Sequence, residues 1–319
     1  MKLSIIIPIY NVEKFVERCF LSICNLKMSP NDFEVIIVDD ESPDNSINII
    51  RKHQHKIKNI SIISQKNRGL GGARNTGLKI ARGKYLFFFD SDDFIITDKF
   101  ELFFNEIYSS NVDVGIGDFY DYYDNDNFKP SIFHFRNRKL IEITGKECIQ
   151  KYYRKNINTM VWRSIYKREH LLNNELFFNE GIFYEDVNWT PKVLALANKI
   201  KYVPIYFYNY VQRSGSIINS TYSEKKFQDR MYVNRDLLLF ASKLSINEQK
   251  EFGYLAIVGT FVAIGKIQTS TNINTQMRKK INDIILFPCS NYLFIRIFIL
   301  LYKIFPKISN YILYKYYGG

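Results

Sequence analysis

Tyr85 to Phe89 is an unbroken run of bulky apolar residues that ends, with no spacer, in Asp90, Asp92 and Asp93. A run so aromatic and so short reads as a buried strand rather than a core helix. It delivers its acids where the chain surfaces. Side chains two apart on an extended chain point the same way, so Asp90 and Asp92 are expected to face one ligand. Two like charges that close are unfavourable unless a cation sits between them. Hard oxygen ligands suit Mg2+ or Mn2+, which hold phosphate oxygens as well. An acidic loop before a helix capped by Thr97 or Asp98 would read the same way, so acid-x-acid does not decide by itself.

The first half alternates strand-like and helix-like segments. Strands are expected at Leu3–Ile9, Phe33–Val38, Ile60–Ser64, Tyr85–Phe89 and Val112–Ile116. Helices are expected at Val12–Leu26, Asp44–His53 and Ala73–Ala81, with another after Tyr85–Phe89. Apolar strands alternating with helices at short intervals imply an α/β fold, a mostly parallel central sheet covered on both faces. Such sheets bind ligands at the carboxyl ends of their strands. Those ends carry Pro8-Ile9-Tyr10-Asn11, Asp39-Asp40-Glu41-Ser42 and Asp90-Ser91-Asp92-Asp93. The run Asn67-Arg68-Gly69-Leu70-Gly71-Gly72-Ala73-Arg74-Asn75 opens the third helix with bare backbone and an arginine. It offers a phosphate cradle, or simply a glycine turn.

Several nucleotide-using classes are excluded. No glycine fingerprint follows the first strand, where Tyr10-Asn11-Val12-Glu13 stands instead, and no segment has phosphate-loop spacing. An aspartyl phosphatase, which also opens with a strand and Asp-x-Asp, stays as a minor alternative, although Phe94 stands where that class typically has Thr or Val. The four cysteines have no metal-ligand or paired spacing, which fits a reducing compartment. The four histidines are scattered, and His53 and His55 face different ways on a helix, against a zinc site. The N-terminal apolar run is broken by Pro8 and reads as a strand, not a signal peptide.

Ser4 to Asn11, Val38 to Asp44, Asn67 to Asn75 and Phe89 to Asp93, in that order and spacing, resemble the family 2 inverting glycosyltransferases of the GT-A fold. The likeness covers roughly residues 1–220. It implies a transferase that moves a hexose or N-acetylhexosamine from a UDP-sugar to a glycan hydroxyl with a β-linkage. The roles it implies place Pro8, Tyr10, Asn11 and Asp39 at the donor nucleotide, with Tyr10 meeting the ring of the uracil and Asp39 accepting from it. Asn67 and Arg74 steady the nucleotide and its phosphates, and Ser91 stands with the donor. Asp90 touches ribose or metal, and Asp92 is the direct Mn2+ or Mg2+ ligand on the diphosphate. The acid pair Glu185-Asp186 follows Gly181-Ile182-Phe183-Tyr184. Asp186 is the implied base that takes the acceptor proton, and Glu185 the fallback that binds acceptor or orients the site. A helix-capping Asp186 is the alternative. Trp162 resembles the segment beside the acceptor, although packing alone would account for a Trp. Arg213 and Ser216 are placed in a lid over the diphosphate, or in an ordinary turn. Tyr120, Tyr122 or Tyr123 is expected at the acceptor. The family usually has Gly where this chain has Glu41, and a positive φ there would strain Glu by about 1 kcal/mol.

The expected organisation is a catalytic domain over 1–220, with a nucleotide-binding half (1–110) and an acceptor half (111–220), followed by a basic helical region over 221–319. The net charge is +12, and from Tyr222 onward 14 Lys+Arg stand against 6 Asp+Glu. Tyr292–Phe305 is too short to span a bilayer and carries Arg296 and Lys303 in a stripe with Lys307. That is the pattern of a helix lying in a membrane interface. A helix packed on the catalytic domain or on a second copy of the chain is the alternative, and nucleic acid fits less well because the aromatics avoid the charges. The expected setting is cytoplasmic, on the inner face of the cell membrane. The acceptor that the resemblance implies is linked to a polyprenyl diphosphate, as in capsule or O-antigen assembly. A nucleotide-sugar-binding scaffold without turnover is the non-enzymatic alternative.

Overall fold

A computed structural model describes residues 1–123, 127–131, 139–152, 159–212, 222–268 and 275–285. They fall into two compact units. The first holds residues 1–181 and 189–214, and the second holds 182–188 with the described residues after 214.

The first unit contains β1 (Leu3–Ile9), α1 (Val16–Cys24), β2 (Phe33–Asp39), α2 (Ser46–His53), β3 (Ile60–Ser64), α3 (Gly69–Ile80), β4 (Tyr85–Phe88), β5 (Phe94–Ile95) and α4 (Thr97–Ser110). They are followed by β6 (Val114–Tyr123), β7 (Asn127–Pro130), β8 (Ile141–Ile143), a short α5 (Gly145–Glu147), β9 (Ser164–Lys167), α6 (Arg168–Asn173) and β10 (Ile200–Val211). The helix α7 (Glu185–Ala195) begins in the second unit and ends in the first. The second unit continues with α8 (Glu224–Ala241), α9 (Ile246–Gln268) and α10 (Thr275–Ile285).

The strands form one sheet in the order β3-β2-β1-β4-β9-β6-β10-β5, with β7 paired to β6 and β8 to β10. The first four positions are parallel, as expected. Beyond β4 the sheet is mixed. β9 lies antiparallel between β4 and β6, while β6 and β10 are parallel to each other. Trp162 to Lys167, read on sequence as an acceptor-side segment, supplies that inserted strand. β1 is buried along its whole length, whereas β3, at the edge, alternates between exposed and half-buried.

β4 feeds two aromatic clusters because its side chains alternate across the sheet. Phe87 packs with Phe100, Phe207 and Tyr208 on one face. Phe88 meets Tyr166, Phe178 and Trp189 on the other. Two helices differ from the expected bounds. α1 starts at Val16, because the residues before it form a loop whose amides bond to the β2–α2 loop. α3 starts at Gly69, so the glycine run is helical, and Gly77 lets the helix approach the sheet. A Cβ there would stand 2.3 Å from Ile6 Cγ2. The second unit has its own apolar core of Phe227, Met231, Leu238, Ile257, Phe261 and Ile281. Among the described residues no helix is long and apolar enough to cross a membrane. Tyr292–Phe305 lies outside the described residues.

At the amino ends of the parallel strands, Glu34 sits opposite Ser4 and is 4% exposed. Its Oε1 accepts from Ser4 Oγ and the Arg82 amide, both at 2.7 Å, and its Oε2 accepts from Arg82 Nε at 2.9 Å. Burial pushes its pKa up, but the hydrogen bonds from Ser4 and Arg82 outweigh burial and hold it below the usual glutamate value. The stabilisation is therefore complete above that usual value and is lost as pH falls through the lower, folded one. Glu34→Gln is expected to cost about 1–3 kcal/mol at neutral pH and to remove this part of the acid unfolding limb. Thermal melts across the acid range check both, and an unchanged melting temperature with an unchanged acid limb would overturn the assignment.

Candidate active site

The strand order reverses at β1. The chain adds β2 and β3 on one side, then crosses to lay β4 on the other, which makes a topological switch point at the carboxyl ends of β1 and β4. The ladder between these strands ends where Phe89 N–H donates to Ile6 O at 2.9 Å. The next donor on that side would be the N–H of residue 8, which is a proline. Pro8 thus sits buried in a central strand with no lost hydrogen bond, and the sheet parts there.

Tyr10 follows at once and is 51% exposed, and Asn11 adopts a left-handed φ of 53°. The loop from β1 is held by the loop after β2. Asn11 N–H donates to Ser42 Oγ at 2.9 Å, Val12 N–H to Ser46 Oγ at 3.2 Å and Glu13 N–H to Asp44 Oδ2 at 2.7 Å. Both serine hydroxyls donate in turn to Asp44 Oδ1, at 2.7 and 2.6 Å. Burial pushes the Asp44 carboxyl up, but these hydroxyls and the Glu13 and Ser46 amides overcome it and leave its pKa below the ordinary value. Asp39 accepts from Ser42 N–H at 2.9 Å and Ser64 Oγ at 3.0 Å, and a carboxylate has lone pairs beyond these two.

The glycine-rich run is not an open cradle. The Asn67 amide donates to Glu41 Oε2 at 3.2 Å, the Arg68 amide to Asp40 Oδ1 at 2.9 Å, and the Gly69 amide to Asn67 Oδ1 at 3.1 Å. The first three amides of the run, those of Asn67, Arg68 and Gly69, are thus already satisfied by side chains. Glu41 makes its contact from a φ of 62°, so the turn does adopt the conformation that favours glycine. Arg74 is also turned inward. It is 2% exposed, with NH2 at 2.7 Å from Asp90 Oδ1 and its guanidinium 5.3 Å from the Phe178 ring. The arginine expected at the phosphates therefore fixes Asp90.

Asp90 to Asp93 do not continue the strand. Asp93 N–H donates to Asp90 O at 3.2 Å, which closes a tight turn, so extended-strand alternation does not set the directions of Asp90 and Asp92. Ser91 is buried in this turn, and Asp92 is partly exposed. Asp93 is 1% exposed and accepts from Tyr208 Oη at 2.6 Å and Val211 N–H at 2.8 Å. Burial, followed by the charges of Asp92 and Asp90, holds its pKa well above the carboxylate range. This negative potential and the all-oxygen donors fit a hard divalent cation. Among the described residues no group of three or more His, Cys, Asp or Glu could hold a metal ion.

Contacts absent from the sequence reading run along α3. Arg68 forms a two-pronged ion pair with Glu180, Nε to Oε2 at 2.8 Å and NH2 to Oε1 at 2.7 Å. Asn75 Nδ2 donates to Phe178 O at 2.9 Å and to Glu180 Oε1 at 3.0 Å, while its Oδ1 accepts from Phe178 N–H at 2.8 Å. Gly181, at φ 68°, donates to Arg68 O at 2.9 Å. Residues 178–181 are thus tied to α3. Local pattern holds no signal for partners 112 residues apart. Glu185 and Asp186 open α7, and Asp186 Oδ1 accepts from the Val187 amide at 2.7 Å. Trp162 is 5% exposed and stacks on Tyr208 and Tyr210, so its place is the core. Tyr122 is buried, and Tyr120 packs on Tyr206. Arg213 and Ser216 lie outside the described residues.

The family model described as Glycosyl transferase family 2 matches residues 4–172. Among curated relatives, the "Uncharacterized glycosyltransferase EpsJ" of Bacillus subtilis is 30% identical over 292 residues, covering 88% of this chain and 83% of that protein. The "Poly(ribitol-phosphate) beta-glucosyltransferase" of Bacillus spizizenii is 30% identical over 237 residues, 70% of this chain and 34% of that protein. The crystal structure of S. aureus TarS 1-349 in complex with UDP-GlcNAc is 23% identical and superposes with a TM-score of 0.64, covering 89% of each chain. That last likeness concerns the fold.

Arg74 forms a largely buried ion pair with Asp90, at 2.7 Å. Arg74→Met is expected to cost about 2–4 kcal/mol, because it strands a carboxylate whose side chain is only 20% exposed. The double variant Arg74→Met/Asp90→Asn should be more stable than the sum of the single losses predicts. Denaturant unfolding of the four proteins checks this, and strict additivity would show that the pair is not coupled.

Proposed function

The chain belongs to glycosyl transferase family 2, and on that premise we propose that it is an inverting enzyme. It moves a hexose or N-acetylhexosamine from a UDP-sugar to a hydroxyl of a glycan acceptor and forms a β-linkage. The observation that carries this reading is the gathering of the β1, β2 and β4 ends, with their exposed tyrosine and their acids, at the switch point of the sheet. The complex of TarS with UDP-GlcNAc and the name of the Bacillus spizizenii relative support a UDP donor and a β-product. The phosphatase reading is set aside by the family.

Tyr10 offers its ring face to the uracil, and Asp39 accepts from the base through its remaining lone pairs. The turn at Asp90–Asp93, with Asp90 held by Arg74, would serve the diphosphate and its cation. Asp92 would hold Mg2+ or Mn2+, which would supply positive charge for the leaving diphosphate. Asp186 takes the proton of the acceptor hydroxyl as its oxygen bonds to the anomeric carbon. The bond from that carbon to the diphosphate oxygen breaks on the opposite face, and the UDP leaves with the electron pair. The basic charge after Tyr222 supports an anionic surface as the setting, and a polyprenyl-diphosphate-linked acceptor there.

A panel of nucleotide sugars titrated by calorimetry with Mn2+ present tests the donor. Heat confined to non-uridine donors would overturn the proposal. Asp92→Asn is expected to abolish turnover and the metal dependence of UDP binding. Full activity in that variant, or in wild type treated with EDTA, would remove Asp92 from the metal site. Asp186→Asn should keep UDP affinity while kcat falls by about 10² to 10⁴, the usual scale for a positioned base. Retained kcat in that variant together with loss in Glu185→Gln would transfer the role to Glu185.

A further inference from the structure

The residues around the acid pair belong to the second unit, and α8 grips them at several points. Phe183 N–H donates to Asp229 Oδ2 at 3.0 Å, and the same oxygen accepts from Lys225 Nζ at 2.8 Å. The ammonium groups of Lys225 and Lys226 lie 5.5 and 5.6 Å from the Phe183 ring centroid. Asn188 Nδ2 donates to Asp236 Oδ2 at 2.8 Å. Lys225, Asp229 and Asp236 recur at helical spacing, so one face of α8 meets residues on both sides of Glu185-Asp186. Between these contacts Tyr184 has a φ of 65°. A bulky aromatic residue in that region is strained and persists where its surroundings over-determine it. Here the Arg230 guanidinium lies 5.4 Å from its ring centroid, and its hydroxyl is hydrogen-bonded to Tyr222.

We infer that Tyr184, Asp229 and Asp236 are positioning residues for the transfer reaction, and that α8 is thereby part of the catalytic apparatus. The inference rests on the reading of Asp186 as the base. Asp229 holds the backbone before the acid pair, Asp236 holds the side chain after it, and Tyr184 makes the left-handed step from which α7 starts. A base must be placed to within a fraction of an ångström, and misplacement by about 1 Å costs on the order of 10²-fold in rate. α8 lies beyond residues 4–172, the stretch matched by the family model. Its role follows from these contacts.

The test uses the full chain and the UDP-sugar that wild type turns over fastest, with Mn2+ present. Asp229→Ala and Asp236→Leu each remove one hold, whereas Asp236→Asn keeps an oxygen to accept from Asn188. UDP release, UDP affinity by calorimetry, and amide exchange over 182–188 are measured for each. The expected result is a fall in kcat of roughly 10- to 100-fold in the first two variants, the scale of a misplaced group. Donor KM and UDP affinity should stay within about twofold, exchange over 182–188 should quicken, and Asp236→Asn should recover most of the rate. Should Asp229→Ala or Asp236→Leu fail to fold, Asn188→Leu breaks the Asp236 contact from the other side and carries the test. Unchanged kcat in the folded variants, or a loss of UDP affinity in parallel with kcat, would overturn the inference. Asp186→Asn in the same assay separates the two readings. Full turnover there sinks the base assignment, whereas loss there with none in the α8 variants sinks only the positioning role.

Discussion

The site depends on a missing hydrogen bond donor. β1 is a fully buried strand between two parallel partners, and such a strand ordinarily donates to one neighbour or the other at every residue. The ladder to β4 ends at Ile6 and Phe88, and the residue that would extend it is Pro8. The sheet therefore parts at the point where the strand order reverses. The chain leaving β1 turns out of the sheet with Tyr10 exposed, while β4 runs on into its acids.

Around that opening the protein spends side-chain carboxylates on its own backbone. Asp39, Asp40, Glu41 and Asp44 accept from amides or hydroxyls of the neighbouring loops. A loop at a sheet edge carries many N–H groups with no ladder partner, and leaving them unpaired in a half-buried place is costly. Acidic side chains satisfy them and stiffen three loops against one another. The net effect is a rigid rim of negative potential, relieved inside the protein by one buried arginine, Arg74.

The rim and the acid pair are supported separately. In the first unit, Arg68 and Asn75 on α3 hold Phe178, Glu180 and Gly181. In the second, α8 holds Phe183 and Asn188. Two residues here adopt positive φ, Gly181 in the first unit and Tyr184 in the second. Gly181 adopts its conformation without strain, while Tyr184 needs the surroundings that α8 and Tyr222 provide. A short segment that changes direction twice cannot set its own course, and so it takes its shape from helices distant in sequence.

The parallel half of the sheet was legible in the residue pattern, because apolar strands alternating with helices bury their faces in few other ways. That pattern also placed Pro8-Tyr10, Asp39-Asp40 and Asp90-Asp93 at one edge, since parallel strands share a polarity. The folded chain alone reveals that Ser164–Lys167 inserts antiparallel beside β4, because pairing between distant strands leaves no local periodicity. It reveals likewise that Asp90–Asp93 turn instead of running straight, and that Arg74 faces Asp90, not solvent. The Arg68–Glu180 and Phe183–Asp229 contacts were equally invisible in the sequence, for each joins residues whose neighbours along the chain say nothing of the partner. Local pattern encodes what a segment buries, and what it is buried against is settled only when the chain closes on itself.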